Sequence, residues 1–214
     1  MTKTISILDY GIGNIFSLTK AFELCGAEVK LISKPSQLKK VDKLILPGVG
    51  AFAKAMEELH KRDFVDSIKE YALSGKALLG ICLGAQMLLS ESHEYGIYSG
   101  LDLIKGKVIK ISDIDPKGIN YKVPYVSWSE LHQPENNTEW NNTILSGINP
   151  GTTAYFVHSF SFIPDNPENR LADTFYDDVR LCAAVKNGNI YGTQFHPERS
   201  GKFGLEMINN FIQL

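Results

Sequence analysis

Cys82 stands in the run Leu78-Leu79-Gly80-Ile81-Cys82-Leu83-Gly84-Ala85-Gln86, with a glycine two residues away on either side. The apolar stretch from Ala77 to Ile81 reads as a buried strand and a helical pattern sets in at Gln86-Met87-Leu88-Leu89, so the cysteine falls on a strand-to-helix turn. A nucleophile elbow has this form, because the turn forces the nucleophile into strained backbone and leaves no room for Cβ atoms beside it. A helix N-terminus behind the sulfur would favour thiolate over thiol. The same glycines are also compatible with a buried structural cysteine between packed elements, so the rest of the chain has to decide. A thiol nucleophile needs a base, and the base needs an acid to orient it. Among the five histidines, His60 and His93 lie in polar surroundings and His132 opens a polar loop, whereas His158 and His196 each end an apolar run. Gln194-Phe195-His196-Pro197-Glu198 closes a strand with a histidine, a proline that fixes the turn and a carboxylate, so His196 and Glu198 can point into one cleft. Cys82, His196 and Glu198 are therefore the candidate catalytic set.

These residues require a scaffold that brings strand ends together. Thr4 to Leu8 reads as a first strand running into Asp9-Tyr10-Gly11-Ile12-Gly13-Asn14, followed by a helix from Ile15 to Cys25 that Gly26 stops. The Gly11-Ile12-Gly13 pair lacks the third glycine of a dinucleotide site, since Phe16 takes that place. Val29 to Ile32 and Lys43 to Leu46 are further strands, the latter ending in Pro47-Gly48-Val49-Gly50, whose backbone N–H groups could serve an oxyanion. Ala51 to Leu59 and Phe64 to Ser74 read as helices before the Cys82 strand, which completes four strand-helix units. The pattern predicts a mainly parallel sheet covered on both faces, with its site at the carboxyl ends of the strands. After Leu101 short strands separated by turns take over, at Lys107 to Ile111, Val123 to Trp128, Ala154 to Phe162, Leu181 to Lys186 and Ile190 to Gln194, and antiparallel additions are expected. His132 to Thr143 reads as a polar surface loop, and Phe203 to Ile212 as a last helix packed on the sheet through Leu205, Ile208 and Ile212. Cys25 and Cys182, on a helix and a strand, are expected to pack.

Composition narrows the classes. With 214 residues, 43% of them hydrophobic, the chain can bury a full core as one α/β domain spanning 1–214. A formal net charge of −2 with 21% charged residues supplies no basic stripe for nucleic acid. The 3 cysteines are too few and too scattered for a disulfide framework or a metal site, which fits a reducing compartment. No stretch approaches the length of a membrane span and no apolar leader opens the sequence, so a cytoplasmic location without membrane association is expected. The sequons at Asn136-Asn137-Thr138 and Asn141-Asn142-Thr143 read as chance matches in a polar loop.

Taken together, Gly80-Ile81-Cys82-Leu83-Gly84-Ala85-Gln86, Pro47-Gly48-Val49-Gly50-Ala51-Phe52 and Gly192-Thr193-Gln194-Phe195-His196-Pro197-Glu198 resemble the class I, or triad, glutamine amidotransferases. Asp9 to Asn14 and Tyr155-Phe156-Val157-His158-Ser159-Phe160 bring the resemblance closest to the glutaminase subunits of imidazole glycerol phosphate synthases. The resemblance implies a three-layer, flavodoxin-like α/β/α fold with a mixed central sheet, and a glutaminase that needs no cofactor and no metal. In it, Cys82 attacks the carboxamide of glutamine, His196 is base and acid, and Glu198 orients His196. Backbone at Gly50 and Leu83 would hold the oxyanion, with Gln86, Glu94, Ser159 and Phe160 reading the substrate. A synthase subunit of the cyclase type would dock as a heterodimer over Asn14, Trp128 and Arg199 and use the ammonia in histidine biosynthesis.

The sequence also departs from the family. Pro-His-x-Gly-Trp-Asn is usual where this chain has Pro124-Tyr125-Val126-Ser127-Trp128-Ser129, and Arg199 replaces a usual lysine. Those positions are expected on the partner side, which keeps open a paralogue supplying ammonia to a sugar-modifying synthetase in surface polysaccharide assembly. A cysteine peptidase is disfavoured by the His196-Pro197-Glu198 end, and a non-catalytic binding module on the same fold by the intact Cys82, His196 and Glu198.

Overall fold

The computed structural model describes residues 3–112, 122–135 and 139–214. Its elements run β1 (Thr4–Leu8), α1 (Ile15–Leu24), β2 (Glu28–Ile32), β3 (Lys43–Leu46), α2 (Phe52–Lys61), α3 (Phe64–Leu73), β4 (Ala77–Ile81), α4 (Leu83–Gln86), β5 (Leu89–Ser92), β6 (Tyr98–Ser99) and β7 (Ile104–Lys110). Then follow β8 (Tyr125–Glu130), β9 (Thr153–His158), β10 (Phe160–Pro164), β11 (Arg170–Tyr176), β12 (Val179–Asn187), β13 (Ile190–Thr193) and α5 (Gly201–Gln213). The main sheet has the order β2-β1-β3-β4-β13-β12-β10-β7-β5-β6, with β11 alongside β12, and β8 and β9 form a separate antiparallel ribbon. β2, β1, β3, β4 and β13 are mutually parallel, and the antiparallel pairings begin where β13 meets β12, as expected for the C-terminal half.

Strand alternation sorts the side chains into two apolar layers. Ile5, Ile7, Ile45, Leu79 and Ile81 face one side, where α1 and α5 cover them through an edge-to-face Phe22–Phe211 pair with ring centroids 6.5 Å apart. Leu44, Leu46 and Leu78 face the other, against Phe52, Met56 and Leu59 of α2 and Phe64 and Ile68 of α3. A fully buried side chain of this kind contributes about 1.5–3 kcal/mol, so the two layers fix the sheet and with it the strand ends.

Four expectations need correction. The helix after Cys82 does not continue through Leu89: α4 is a single turn, and β5 begins at Leu89. The returning segment takes the carbonyls that a longer helix would use, Leu101 N–H donating to Met87 O at 2.8 Å, Leu103 N–H to Leu88 O at 2.9 Å and Asp102 N–H to Leu89 O at 3.1 Å. Between β2 and β3 there is no α-helix but a 3₁₀ segment, Pro35–Lys40, so the second strand-helix unit is incomplete. The run from Ala154 to Phe162 is not one strand: it breaks at Ser159, with β9 joining the ribbon and β10 the main sheet. Finally, the segment read as a polar surface loop is anchored inside, because Trp140 is buried and its indole N–H donates to Leu171 O at 2.7 Å. The sequon at Asn136 lies outside the described residues, whereas Asn141 and Asn142 are exposed.

Candidate active site

Cys82 sits at the carboxyl end of β4 with φ +56° and ψ −113°, the strained geometry that the glycine spacing predicts. The crowding around it explains the glycines. A Cβ on Gly84 would lie 1.9 Å from Leu46 O, one on Gly80 2.7 Å from the Ala85 Cα, and one on Gly48 2.6 Å from the Gly84 nitrogen. The turn after Cys82 is therefore held backbone to backbone against the end of β3. Because α4 is only one turn long, a helix macrodipole adds little to the sulfur's surroundings, contrary to expectation, and what it offers are the first N–H groups of the turn, beginning with Leu83.

Parallel pairing of β4 with β13 brings the second motif to the same level. Cys82 N–H donates to Thr193 O at 2.7 Å, and His196 follows within the turn that Pro197 opens. His196 Nδ1 is 2.9 Å from Glu198 Oε1, and the Glu198 side chain is 2% exposed. Burial alone would lower the His196 imidazole, yet its hydrogen bonds to Cys82 and Glu198 and their negative charge push it up to about 10. An imidazolium thus stands beside the sulfur, braced by a buried carboxylate, which is the arrangement that activates a thiol nucleophile.

His158, the competing base, is also buried, but burial together with the nearby His196 pushes it down to about 4 against the opposing pull of the Phe160 carbonyl. Its Nδ1 lies 2.8 Å from Phe160 O, an acceptor, so Nδ1 carries the proton and Nε2 is left without a partner. His158 is a neutral wall residue, packed edge-on against Tyr125 with centroids 5.7 Å apart.

Cys82, His196, Leu83, Gln86, Glu94, Ser159, Phe160, Val49 and Gly50 line one cavity of about 220 Å³, closed by Pro124, Val157 and His158. It brings together Cys82, His196 and all six expected oxyanion and substrate residues, while Glu198 stands behind His196 and does not line the cavity. Gly50, with φ +97°, has open space where a side chain would stand. Gln86 is buried and donates to Gln194 Oε1 at 2.9 Å and to Phe160 O at 3.5 Å. Glu94 lines the cavity as expected, and its Oε2 accepts from Phe52 N–H, the first residue of α2, at 2.6 Å, which fixes the carboxylate at the cavity wall. Gln194 was missed as a site residue. It is fully buried, and its Nε2 donates to the Cys82 sulfur at 3.7 Å; its place two residues before His196 was the available signal.

The expected partner-facing residues divide. Trp128 is 53% exposed on the ribbon, its ring tilted against Tyr155, so it is not a core tryptophan. Arg199 is exposed beside the His196 turn, and Asn14 caps α1, its side chain accepting from Ser17 N–H at 3.3 Å. The departures at Tyr125 and Ser129 do not face outward as expected. Alternation along β8 turns them to the face opposite Trp128, where Tyr125 stacks on Tyr176 with centroids 4.1 Å apart and hydrogen-bonds Ser129. Among the described residues no helix is long and apolar enough to cross a membrane, and no cluster of His, Cys, Asp and Glu could hold a metal.

The model of the family described as glutamine amidotransferase class-I matches residues 6–214. A Legionella pneumophila (strain Paris) protein named imidazole glycerol phosphate synthase subunit HisH 1 is 46% identical over 211 residues, covering 99% of each chain. The protein named imidazole glycerol phosphate synthase subunit HisH from Chlorobaculum tepidum is 38% identical, over 98% of this chain and 99% of its own. Among solved structures, that of PurLQS from Thermotoga maritima is similar in fold, with a TM-score of 0.74 at 19% identity over 100% of this chain and 99% of the other. A cysteine on a glycine elbow, a histidine braced by glutamate and a family match that spans nearly every residue lead to one statement: the chain belongs to the class I glutamine amidotransferases.

Proposed function

We propose that the chain is the glutaminase subunit of an imidazole glycerol phosphate synthase, a single amidotransferase domain working in the cytoplasm as a heterodimer with a cyclase subunit. The observation that carries the chemistry is the His196 imidazole, 2.9 Å from Glu198 and sharing one cavity with Cys82, Gln86 and Glu94. Full-length likeness to subunits of that synthase supports the pathway.

Glutamine enters with its carboxamide at Cys82 and its ammonium toward Glu94. The sulfur attacks the carboxamide carbon, and the oxygen that becomes negative is met by the Leu83 N–H and by backbone of the Gly50 loop, donors each worth about 2.7–4 kcal/mol in such sites. His196 passes its proton to the departing nitrogen, the C–N bond breaks, and ammonia leaves behind a thioester on Cys82. A water molecule, deprotonated by His196, attacks the thioester, and glutamate departs with the thiol restored. Glu198 keeps Nδ1 occupied, so the other ring nitrogen serves both proton transfers. Ammonia must reach its acceptor before bulk water protonates it, which places the acceptor against this face, on Trp128, Arg199 and the α1 start at Asn14. The reading of a sugar-synthetase partner loses its support at Tyr125 and Ser129, which pack inward.

Reconstitution with a histidine-pathway cyclase tests this reading. Glutamine-dependent formation of imidazole glycerol phosphate is expected only when both proteins are present, with glutamate released in equal amount. Failure of any cyclase to bind or to draw ammonia from this chain would overturn the pathway, and absence of a covalent adduct on Cys82 after treatment with a glutamine-mimicking diazoketone would overturn the chemistry.

A further inference from the structure

Gln194 emerges from β13 directly before Phe195 and His196, its backbone N–H held by Ala183 O at 2.8 Å. Its side chain is wholly enclosed and spans two residues of the site. The orientation of both amides follows from their partners. Gln86 directs its nitrogen to the Phe160 carbonyl, which can only accept, so its second N–H must meet an oxygen on Gln194. That leaves Gln194 Nε2 for the Cys82 sulfur. The chain of donors therefore runs one way, from Gln86 to Gln194 to Cys82, and no hydrogen bond engages the Gln86 carbonyl oxygen among the described residues, which frees it for the substrate.

We propose that Gln194 is a positioning residue of the glutaminase reaction, its amide locking the rotamer of Gln86 with one end and donating to the Cys82 sulfur with the other. The proposal rests on the reading of Cys82 as nucleophile and of Gln86 as a substrate contact. An N–H donor favours the negatively charged sulfur over the neutral thiol, and it does so from a rigid, dry position that costs no reorganisation during attack. As the sulfur loses its charge in forming the thioester the bond weakens, so Gln194 acts on the resting site and on substrate placement rather than on the oxyanion.

The test uses the full chain with its synthase partner and two substitutions. Gln194→Met removes donor and acceptor at similar volume, while Gln194→Glu keeps oxygens for Gln86 but offers the sulfur no donor when ionised. The first readout is the rate of Cys82 alkylation by iodoacetamide across pH, with the adduct located by peptide mass; Cys25 and Cys182 are set apart by burial, which raises both thiols and pushes Cys182 up to about 12. The second is kcat and KM for glutamine. Loss of a hydrogen bond to a charged acceptor predicts alkylation at neutral pH slowed about tenfold in both variants, with the profile moved to higher pH. KM is expected to rise in Gln194→Met, where Gln86 loses its acceptor, and to stay near the parent value in Gln194→Glu. A folded variant whose alkylation profile matches the parent overturns the proposal, even if turnover falls, because a packing role would leave that profile unmoved. Should Gln194→Met fail to fold, the Gln194→Glu profile alone decides. Lack of Cys82 alkylation in the unsubstituted chain would instead overturn the nucleophile assignment itself.

Discussion

Replacing Gly84 by alanine adds one methyl where the structure has none to spare. The new Cβ would stand 1.9 Å from Leu46 O, 2.8 Å from Leu46 C and 3.0 Å from Pro47 C, all backbone atoms at the end of β3. Since ordinary contact begins at 3.4 Å, the elbow and the β3 end must part by about 1.5 Å along the closest vector, and no flexible side chain can absorb it. Overpacking of this kind costs about 1–3 kcal/mol, which for a chain of this size lowers the melting temperature by about 2–12 °C. The catalytic effect is expected to be larger in proportion, because the same movement separates Leu83 from the Gly48 to Gly50 loop, and a misplacement near 1 Å costs about 10²-fold in rate. Thermal melts followed by fluorescence and glutamate release in the presence of the partner read the two effects. At Gly26 the same methyl meets nothing within 4 Å and only inherits a φ of +81°, so Gly26→Ala is expected to lose some stability and keep its turnover. Gly84→Ala with an unchanged melting temperature and full glutaminase rate would refute the backbone-contact account of the elbow.

Further expectations concern chemistry, pH and docking. Cys82→Ala should abolish release of glutamate while leaving the partner's reaction with ammonium salts intact; glutamine-dependent turnover in this variant would require another nucleophile. His196, raised in the folded chain to about 10 from its usual 6.5, contributes stability that is complete below about pH 6.5 and is lost as pH climbs through 10, so melts from pH 7 to 10 should fall more steeply in the parent than in His196→Asn. His158 behaves oppositely: with a folded value of about 4, its contribution is complete above pH 6.5 and lost as pH falls toward 4, and His158→Gln should flatten that acid limb. Trp128→Ala should change stability by no more than about 0.5 kcal/mol, since the ring is half exposed, but weaken binding of the synthase partner about 30-fold if the ring is a central anchor worth about 2 kcal/mol, as calorimetric titration would measure.

The parallel half of the fold was legible because its signals are local. Alternation, a capping residue and a stop glycine locate β1, α1, β3, α3 and β4 to within a residue or two, and the glycine pair around Cys82 announces its backbone strain. What escaped depended on partners distant in sequence. Nothing within Gln86 to Leu89 tells that residues 101–104 will claim its carbonyls, so the helical pattern overran. Ser159 looks like any strand residue until β9 and β10 are seen to belong to different sheets. Tyr125 and Ser129 read as surface changes, because a strand's apolar face is assigned only once its outward residue, here Trp128, is known. Within the site, Cys82, His196 and Glu198 were readable from residue type and spacing; Gln194 was not, since a buried amide acquires meaning only from the two atoms it touches.

The strand that carries His196 is the last of the sheet to be synthesised, yet it lies in its middle, between β4 and β12. Cys82 and His196 are separated by about half the chain, so a polypeptide emerging from the ribosome holds Cys82 long before His196. Until β13 slides into the open edge of β4, the Cys82 N–H lacks Thr193 O and the sulfur lacks both His196 and Gln194. Closing so long a loop is among the slower events of folding. On the proposed mechanism a chain that lacks β13 cannot hydrolyse glutamine, and turnover reports that the last strand has entered the sheet.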